Sequence, residues 1–224
     1  MLNEIMNKKV LKLPDSSLKR VHVIDHPFVQ DSLTHLRDKS TPVNKFRWHS
    51  DRICQQLFIE ATRSISVREV EIETPLTKTN AKKLDEEVII VPVLRSGVCM
   101  LFGALQLLPK SKVGFAGLQR DEATAVASEY YWKFPQVTRK SVVIITDPMV
   151  ATGGSILHIL RQLHKEQPKE FRIVSVIAAP EGIAAIHAEF PDVEIYTASL
   201  DSHLNTQKYI VPGLGDYGDR YYGT

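Results

Sequence analysis

The run VVIITDPMVATGGS, residues 142–155, constrains the fold of this chain more than any other stretch. Residues 142–145 are apolar and β-branched without alternation, the pattern of a strand buried on both faces of a parallel sheet. Asp147 and Pro148 end that strand, and Thr152, Gly153, Gly154 and Ser155 make a loop of small residues. Ile156, Ile159, Leu160 and Leu163 follow at helical spacing. The first N–H groups of a helix lack internal partners and glycine lets a ligand approach the backbone, so this junction suits a phosphate. Asp147 is anionic and suits sugar hydroxyls instead, or a cation that the phosphates hold. For TGGS alone an ordinary turn into a helix explains as much. The buried strand and the complete DPMVATGGS argue for a nucleotide-sugar site.

The rest of the chain supplies a sheet for this strand to join. Residues 88–94 (VIIVPVL), 112–118, 171–179 and 193–200 predict further strands, and residues 98–108 and 180–190 predict helices among them. Strands alternating with helices imply an α/β fold with a mostly parallel central sheet, helices on both faces and right-handed crossovers. Thr41 and Pro42 predict a helix start, with the hydroxyl as cap and proline at the first helical position. Phe46, Ile53, Leu57 and Ala61 share one face of that helix, which should run to about Arg63. Val67, Val70, Ile72 and Thr74 sit among charged residues, predicting a half-exposed strand that serves as an arm or an edge against another subunit. Residues 1–25 are polar and weakly patterned, as in a loosely held arm.

Arg95 follows the strand at residues 88–94 directly, where open α/β sheets keep their ligands; a surface ion pair is its plainer reading. Arg120 lies in QRDEAT, residues 119–124, a polar segment suited to close as a lid over a reacting diphosphate. Tyr130, Tyr131 and Trp132 would alternate between the faces of a strand, so packing explains them better than RNA stacking. His26, His49, Asp51 and Arg52 have no partner motif and read as structural or surface residues.

Composition narrows the function classes. The 224 residues carry 28 Lys plus Arg against 26 Asp plus Glu, a net charge of +2, which makes no case for a general nucleic-acid binder. Cys54 and Cys99 match no metal or redox spacing, so reduced buried thiols and a cytoplasmic protein are expected. No run is apolar enough for a membrane span or a signal peptide. No linker or repeat interrupts the sequence, so one domain over residues 1–224 is expected.

The last residues, YIVPGLGDYGDRYYGT (209–224), contain Gly213, Gly215 and Gly218 in the spacing GxGxxG. That dinucleotide fingerprint needs a following helix and strand, and too little chain remains, so a glycine-rich terminal loop is expected. Such backbone can lie against a flat heterocycle and offer it N–H and C=O groups.

This ending is similar to that of uracil phosphoribosyltransferases, a family of type I phosphoribosyltransferases. The resemblance covers most of the chain: HPFVQ, FIEATR at 58–63, VPVLRSG, GLQRDEAT, DPMVATGGS, AAPEG at 178–182, and the tail. It implies transfer of the phosphoribosyl group of phosphoribosyl diphosphate (PRPP) to uracil, giving UMP and diphosphate, with Mg²⁺ carried by the diphosphate. It implies that Arg95 and Arg120 contact the diphosphate and that Asp147, Pro148, Met149, Val150, Ala151, Thr152, Gly153, Gly154 and Ser155 hold the 5′-phosphate and ribose. Residues 203–224 would form a hood in which Ile210, Gly215, Asp216 and Tyr217 bind uracil, with Asp216 also reaching the phosphoribosyl group. Arg120, Asp147 and Asp216 would be the catalytic residues, with no metal ligated by protein alone. A homodimer or homotetramer is implied, with GTP an allosteric activator in some members, and neither nucleic acid nor membrane as partner. The chain departs from the family at Ser96, Gln119, Ala123 and Tyr217, and Pro148 stands where many phosphoribosyltransferases have a second acid. Transfer to another base, a purine or orotate, and a non-catalytic regulator are the rival readings.

Overall fold

In the computed structural model, residues 13–120 and 127–224 are described. After a one-turn helix, α1 (Asp15–Leu18), the chain enters the sheet as β1 (Val21–Val23) and passes through α2 (Pro27–Arg37) and α3 (Val43–Ala61). It then makes a separate hairpin of β2 (Val67–Glu73) and β3 (Lys78–Leu84). The sheet resumes with β4 (Glu87–Leu94), followed by α4 (Val98–Leu107), β5 (Lys112–Val113), β6 (Phe115–Arg120) and β7 (Ala127–Lys133). Next come β8 (Ser141–Thr146), the short β9 (Met149–Val150), α5 (Gly154–Leu163), β10 (Glu170–Ala178), α6 (Pro180–Glu189) and β11 (Glu194–Leu200). A small hairpin of β12 (His203–Leu204) and β13 (Ile210–Val211) precedes the last helix, α7 (Tyr217–Tyr222).

The strand order is β1-β11-β10-β8-β4-β6-β7. Every neighbouring pair on this path is parallel except β6 with β7, so the sheet is mostly parallel, as the sequence predicts. The apolar runs are continuous because both faces are covered. Ile90, Ile144 and Val174 pack toward Leu57 of α3 and Met100 of α4, whereas Ile89, Val143 and Ile173 pack toward Ile159 of α5 and Ile186 of α6. The stripe predicted for α5 is buried at Ile156, Ile159, Leu160 and Leu163.

One buried charge interrupts this pattern. Arg172 on β10 is 2% exposed, yet its guanidinium donates to Glu170 at 2.6 Å, to Ser64 Oγ at 3.0 Å and to the carbonyl of Ala61, tying the strand to the end of α3. These partners satisfy most of the donors that burial would otherwise leave stranded.

Several expectations are corrected. Residues 21–23 are not a loose arm but an edge strand parallel to β11, where Glu194 accepts hydrogen bonds from Arg20 and pairs with His22. Pro42 is the N-cap of α3 rather than its first residue, and no side chain caps that helix, because the proline ring has no acceptor; the Pro42 carbonyl takes the first intrahelical bond, from Phe46 N–H. The strand expected at residues 112–118 is divided at Gly114 into β5 and β6. Trp132 packs on Phe134 with ring centroids 4.2 Å apart, but Tyr130 and Tyr131 are exposed on the edge strand rather than packed away. The tail is not wholly loop, since α7 forms there with Asp216 accepting from Asp219 N–H at 2.9 Å.

Among the described residues no helix is long and apolar enough to cross a membrane. Ile144, fully buried in the middle strand β8, is a test of the two-faced core. Ile144→Ala should lower stability by about 2–5 kcal/mol, measured as a reduced midpoint with an unchanged slope in urea unfolding.

Candidate active site

The carboxyl ends of three neighbouring strands, β6, β4 and β8, carry Arg120, Arg95 and Asp147 respectively. The parallel registers set Pro92 beside Thr146 and Leu94 beside Gly117, so the three chain segments leave the sheet side by side. Arg120 is described through its backbone only, pairing with Ala127 at the top of the β6–β7 hairpin. Residues 121–124 of the expected lid lie outside the described residues.

After β8 the chain makes the glycine loop. Gly153 has φ +77°, a left-handed conformation that costs glycine little, and it is the N-cap of α5. A side chain there would also meet the carbonyl of Gly182 at 2.9 Å, and one on Gly182 would meet the carbonyl of Ala151 at 2.4 Å. The glycine of AAPEG therefore lets the start of α6 press directly against the loop. Asp147 and residues 149–156 line a small cleft above the first turn of α5. Thr152 Oγ1 lies 3.5 Å from Gly154 N, and Asp147 accepts from Met149 N–H at 3.3 Å. Pro148 and Val150 face inward, so within this stretch they offer a ligand their main chain only. The cleft lies over the first turn of a 10-residue helix, whose leading N–H groups have no intrahelical carbonyl partner and whose positive end suits an anion.

Arg95 follows a cis peptide from Leu94 and is the exposed member of a pair with Asp219 of α7 at 3.6 Å. Its loop is locked to β8 through Gly97, whose carbonyl accepts from Thr146 Oγ1 at 3.3 Å. A Cβ on Gly97 would stand 2.4 Å from the Thr146 carbonyl and 2.5 Å from Val93 N. The tail closes over this loop: Tyr222 donates to the Arg95 carbonyl at 3.3 Å, and a side chain on Gly218 would lie 3.6 Å from Ser96 Cβ. Loop, arginine and tail thus surround one edge of the sheet.

Sequence patterns miss the residues that hold the tail there. Arg37 at the end of α2 grips Asp201 with two hydrogen bonds of 2.9 and 2.6 Å and also donates to the Gly213 carbonyl at 2.8 Å. Gly213 N–H in turn donates to Asp201 at 2.9 Å. Burial alone would raise the Asp201 carboxyl, but the hydrogen bonds from Arg37, Ser199 and Gly213 outweigh it and hold the group below its ordinary range. Arg47 donates to the Tyr221 carbonyl at 2.8 Å, and Arg220 donates to the carbonyls of Leu36, Leu214 and Asp38 while lying 4.5 Å over the ring of Phe46. The hairpin β12–β13 is tied to α6 by Leu204 N–H on Glu181 at 2.9 Å. Asp201 could have been found, because it follows β11 as Arg95 follows β4. Arg37 carries no local signal.

Of the tail residues singled out from sequence, Gly215 and Asp216 are exposed at the front, whereas Ile210 is 9% exposed with its side chain in the core. Tyr217 is fully buried, its hydroxyl 2.5 Å from Ser50 and its ring edge-on to Phe46 at 5.1 Å. Its side chain therefore faces neither a ligand nor solvent, and only its main chain is available. A roomier cavity of about 450 Å³, bordered by Lys83, Leu84, Glu87, Leu108 and Lys112, lies at the amino end of β4. That is the wrong end for a substrate of a parallel sheet. The loop offers one carboxylate, Asp147, with no second acid beside it, so a metal there depends on ligands from a substrate.

A family model described as uracil phosphoribosyltransferase matches residues 23–224. Two relatives, both described as uracil phosphoribosyltransferase, come from Lysinibacillus sphaericus and Staphylococcus aureus. They are 46% and 44% identical over 208 residues, which is 92% of this chain and 100% of each relative. A solved structure, the AQ2163 protein from Aquifex aeolicus, superposes with a TM-score of 0.87 at 38% identity, covering 91% of this chain and 98% of that one.

Two outcomes test the frame of the site. Gly97→Ala should destabilise the protein by about 1–3 kcal/mol because the added methyl has no room between β4 and β8, read from the thermal midpoint. For Asp201, a folded pKa below the unfolded value of about 3.9 means its stabilisation is complete above that pH and vanishes as pH falls through the folded value. Asp201→Asn should cost about 3 kcal/mol at pH 7, and the gap to the unaltered protein in urea unfolding should close as the solution is acidified below pH ~4.

Proposed function

Because the chain belongs to the uracil phosphoribosyltransferase family, we propose that it transfers the phosphoribosyl group of PRPP to uracil, giving UMP and diphosphate. The convergence of the glycine loop, the Arg95 loop and the tail on one sheet edge is the observation that carries this reading. The N-terminus of α5 binds the 5′-phosphate, and Asp147 holds the ribose hydroxyls. Arg95 and Arg120 bind the diphosphate, and uracil lies under the tail against main-chain groups of Ile210, Gly215, Asp216 and Tyr217. Asp216 reaches the phosphoribosyl group from the exposed front of the tail.

The reaction is a displacement at the anomeric carbon with inversion. Positive charge develops on the sugar and negative charge on the departing diphosphate, so the two guanidiniums stabilise the transition state more than the ground state. Holding both substrates still supplies a further part of the rate. Mg²⁺ enters with the diphosphate as part of the substrate, which fits a loop with a single carboxylate. The buried, unbridged Cys54 and Cys99 support a reducing, cytoplasmic setting.

The hairpin β2–β3 supports a homo-oligomer. It forms its own two-stranded sheet and exposes Val67 by 49%, Leu84 by 62% and Leu76 by 95%, apolar surface suited to another copy of the chain. Activation by GTP stays an expectation of the family resemblance, tested by adding GTP to the transfer assay.

Incorporation of radiolabelled uracil into UMP should be robust, and hypoxanthine or orotate should neither replace uracil nor compete with it. Arg120→Ala and Asp147→Asn should each lower kcat about 10²-fold to 10³-fold. Turnover near that of the unaltered protein in both variants would refute the assigned roles. Sedimentation should show a dimer or tetramer, and a monomer at assay concentration would refute the arm.

A further inference from the structure

Asp31 and His35 stand one turn apart on α2, so both project from the same face of that helix. His49 meets them from α3, and the ligand-type atoms of the three residues all lie within 4.8 Å of one another. The imidazole rings of His35 and His49 are 4.0 Å apart between centroids, with His49 buried and the other two residues exposed. We propose that Asp31, His35 and His49 form a site for a divalent metal ion of the zinc class, with water completing the coordination, that fastens α2 to α3.

Two imidazoles and a carboxylate are the donors that zinc-like ions favour, whereas magnesium and calcium prefer oxygen alone. Three atoms this close share a centre no more than about 2.8 Å from each, and zinc bonds are about 2.0–2.2 Å long, so the required closure is under about 1 Å per atom. The exposed Asp31 and His35 have the freedom to supply it, including the ring turn that takes His35 out of its stack. The surroundings fix the remaining groups. His49 Nδ1 lies 3.3 Å from Ser32 Oγ, a contact that orients the ring. Trp48 packs edge-on against His49 at 4.7 Å. Arg52 donates to one Asp31 oxygen at 3.0 Å and is itself held over the rings of Phe28 and Trp48. Burial keeps the His49 imidazole in its neutral, ligating form. The positive charge of Arg52 nearby makes the site weaker than a structural zinc centre.

The site is independent of the transfer reaction, although it shares its helices with the tail clamp: Arg37 lies two residues beyond His35, and Ser50 follows His49. Untagged full-length protein is titrated with Co²⁺ in excess Mg²⁺, following the visible absorption of the bound ion, and Zn²⁺ is then used to displace it. One equivalent should bind the unaltered protein and be displaced by Zn²⁺. The exposed His35→Ala and Asp31→Asn variants should bind at least about tenfold more weakly. Zn²⁺ should raise the melting temperature of the unaltered protein and not that of His35→Ala. Absence of saturable binding, equal affinity in His35→Ala, or an equal melting shift in both proteins would overturn the proposal.

Discussion

In a parallel sheet covered on both faces, every strand starts on one edge and finishes on the other, so the loops that follow strands meet along a single line. Here β6, β4, β8 and β11 end on that line with Arg120, Arg95, Asp147 and Asp201. The residues of the site need no individual device to be gathered; the two-faced burial of strands such as β8 gathers them. What must be arranged is how closely the loops approach, and glycines do this. Gly97, Gly153 and Gly182 each occupy a place where a methyl group would strike neighbouring backbone, so the β4 loop, the β8 loop and the start of α6 touch main chain to main chain.

The tail obeys a different logic. It is held by arginines on carbonyl groups: Arg37 on Gly213, Arg47 on Tyr221 and Tyr222, Arg220 on Leu36, Leu214 and Asp38. Charge-assisted bonds to carbonyls fix the path of the backbone rather than the identity of the side chains. A base read by main-chain groups needs that kind of rigidity, because the donors and acceptors are set by the path itself. On the proposed reading it also accommodates Tyr217 beside the base, since the aromatic ring serves as an anchor in the core against Phe46 and Ser50.

The strands and their order of polarity were legible because burial on both faces writes an uninterrupted apolar run, as in VIIVPVL and VVIIT. The glycine loop was legible because strand, acid, glycines and helical stripe lie within one short segment. The clamp was not, since Arg37 and Asp201 are 164 residues apart and neither stands in a pattern. Arg172 inside an apolar strand was hidden for the same reason: only its tertiary partners account for it. The cap expected from Thr41 failed because local propensity is overridden by the turn that precedes α3, where Thr41 N–H pairs with the Asp38 carbonyl. His35 and His49 likewise come together only when α2 folds on α3.

On the proposed reading one nucleotide spans the glycine loop and the tail, its phosphate on the first turn of α5 and its base on the main chain of residues 210–217. A crystal structure of the complex with UMP tests this most directly. The phosphate oxygens should lie within hydrogen-bonding distance of N–H groups of residues 152–155, with the uracil carbonyls and N–H facing tail backbone and Tyr217 still buried against Ser50. A nucleotide bound at the cavity beside β3 and α4, or a base read by side chains after Tyr217 has left the core, would contradict it.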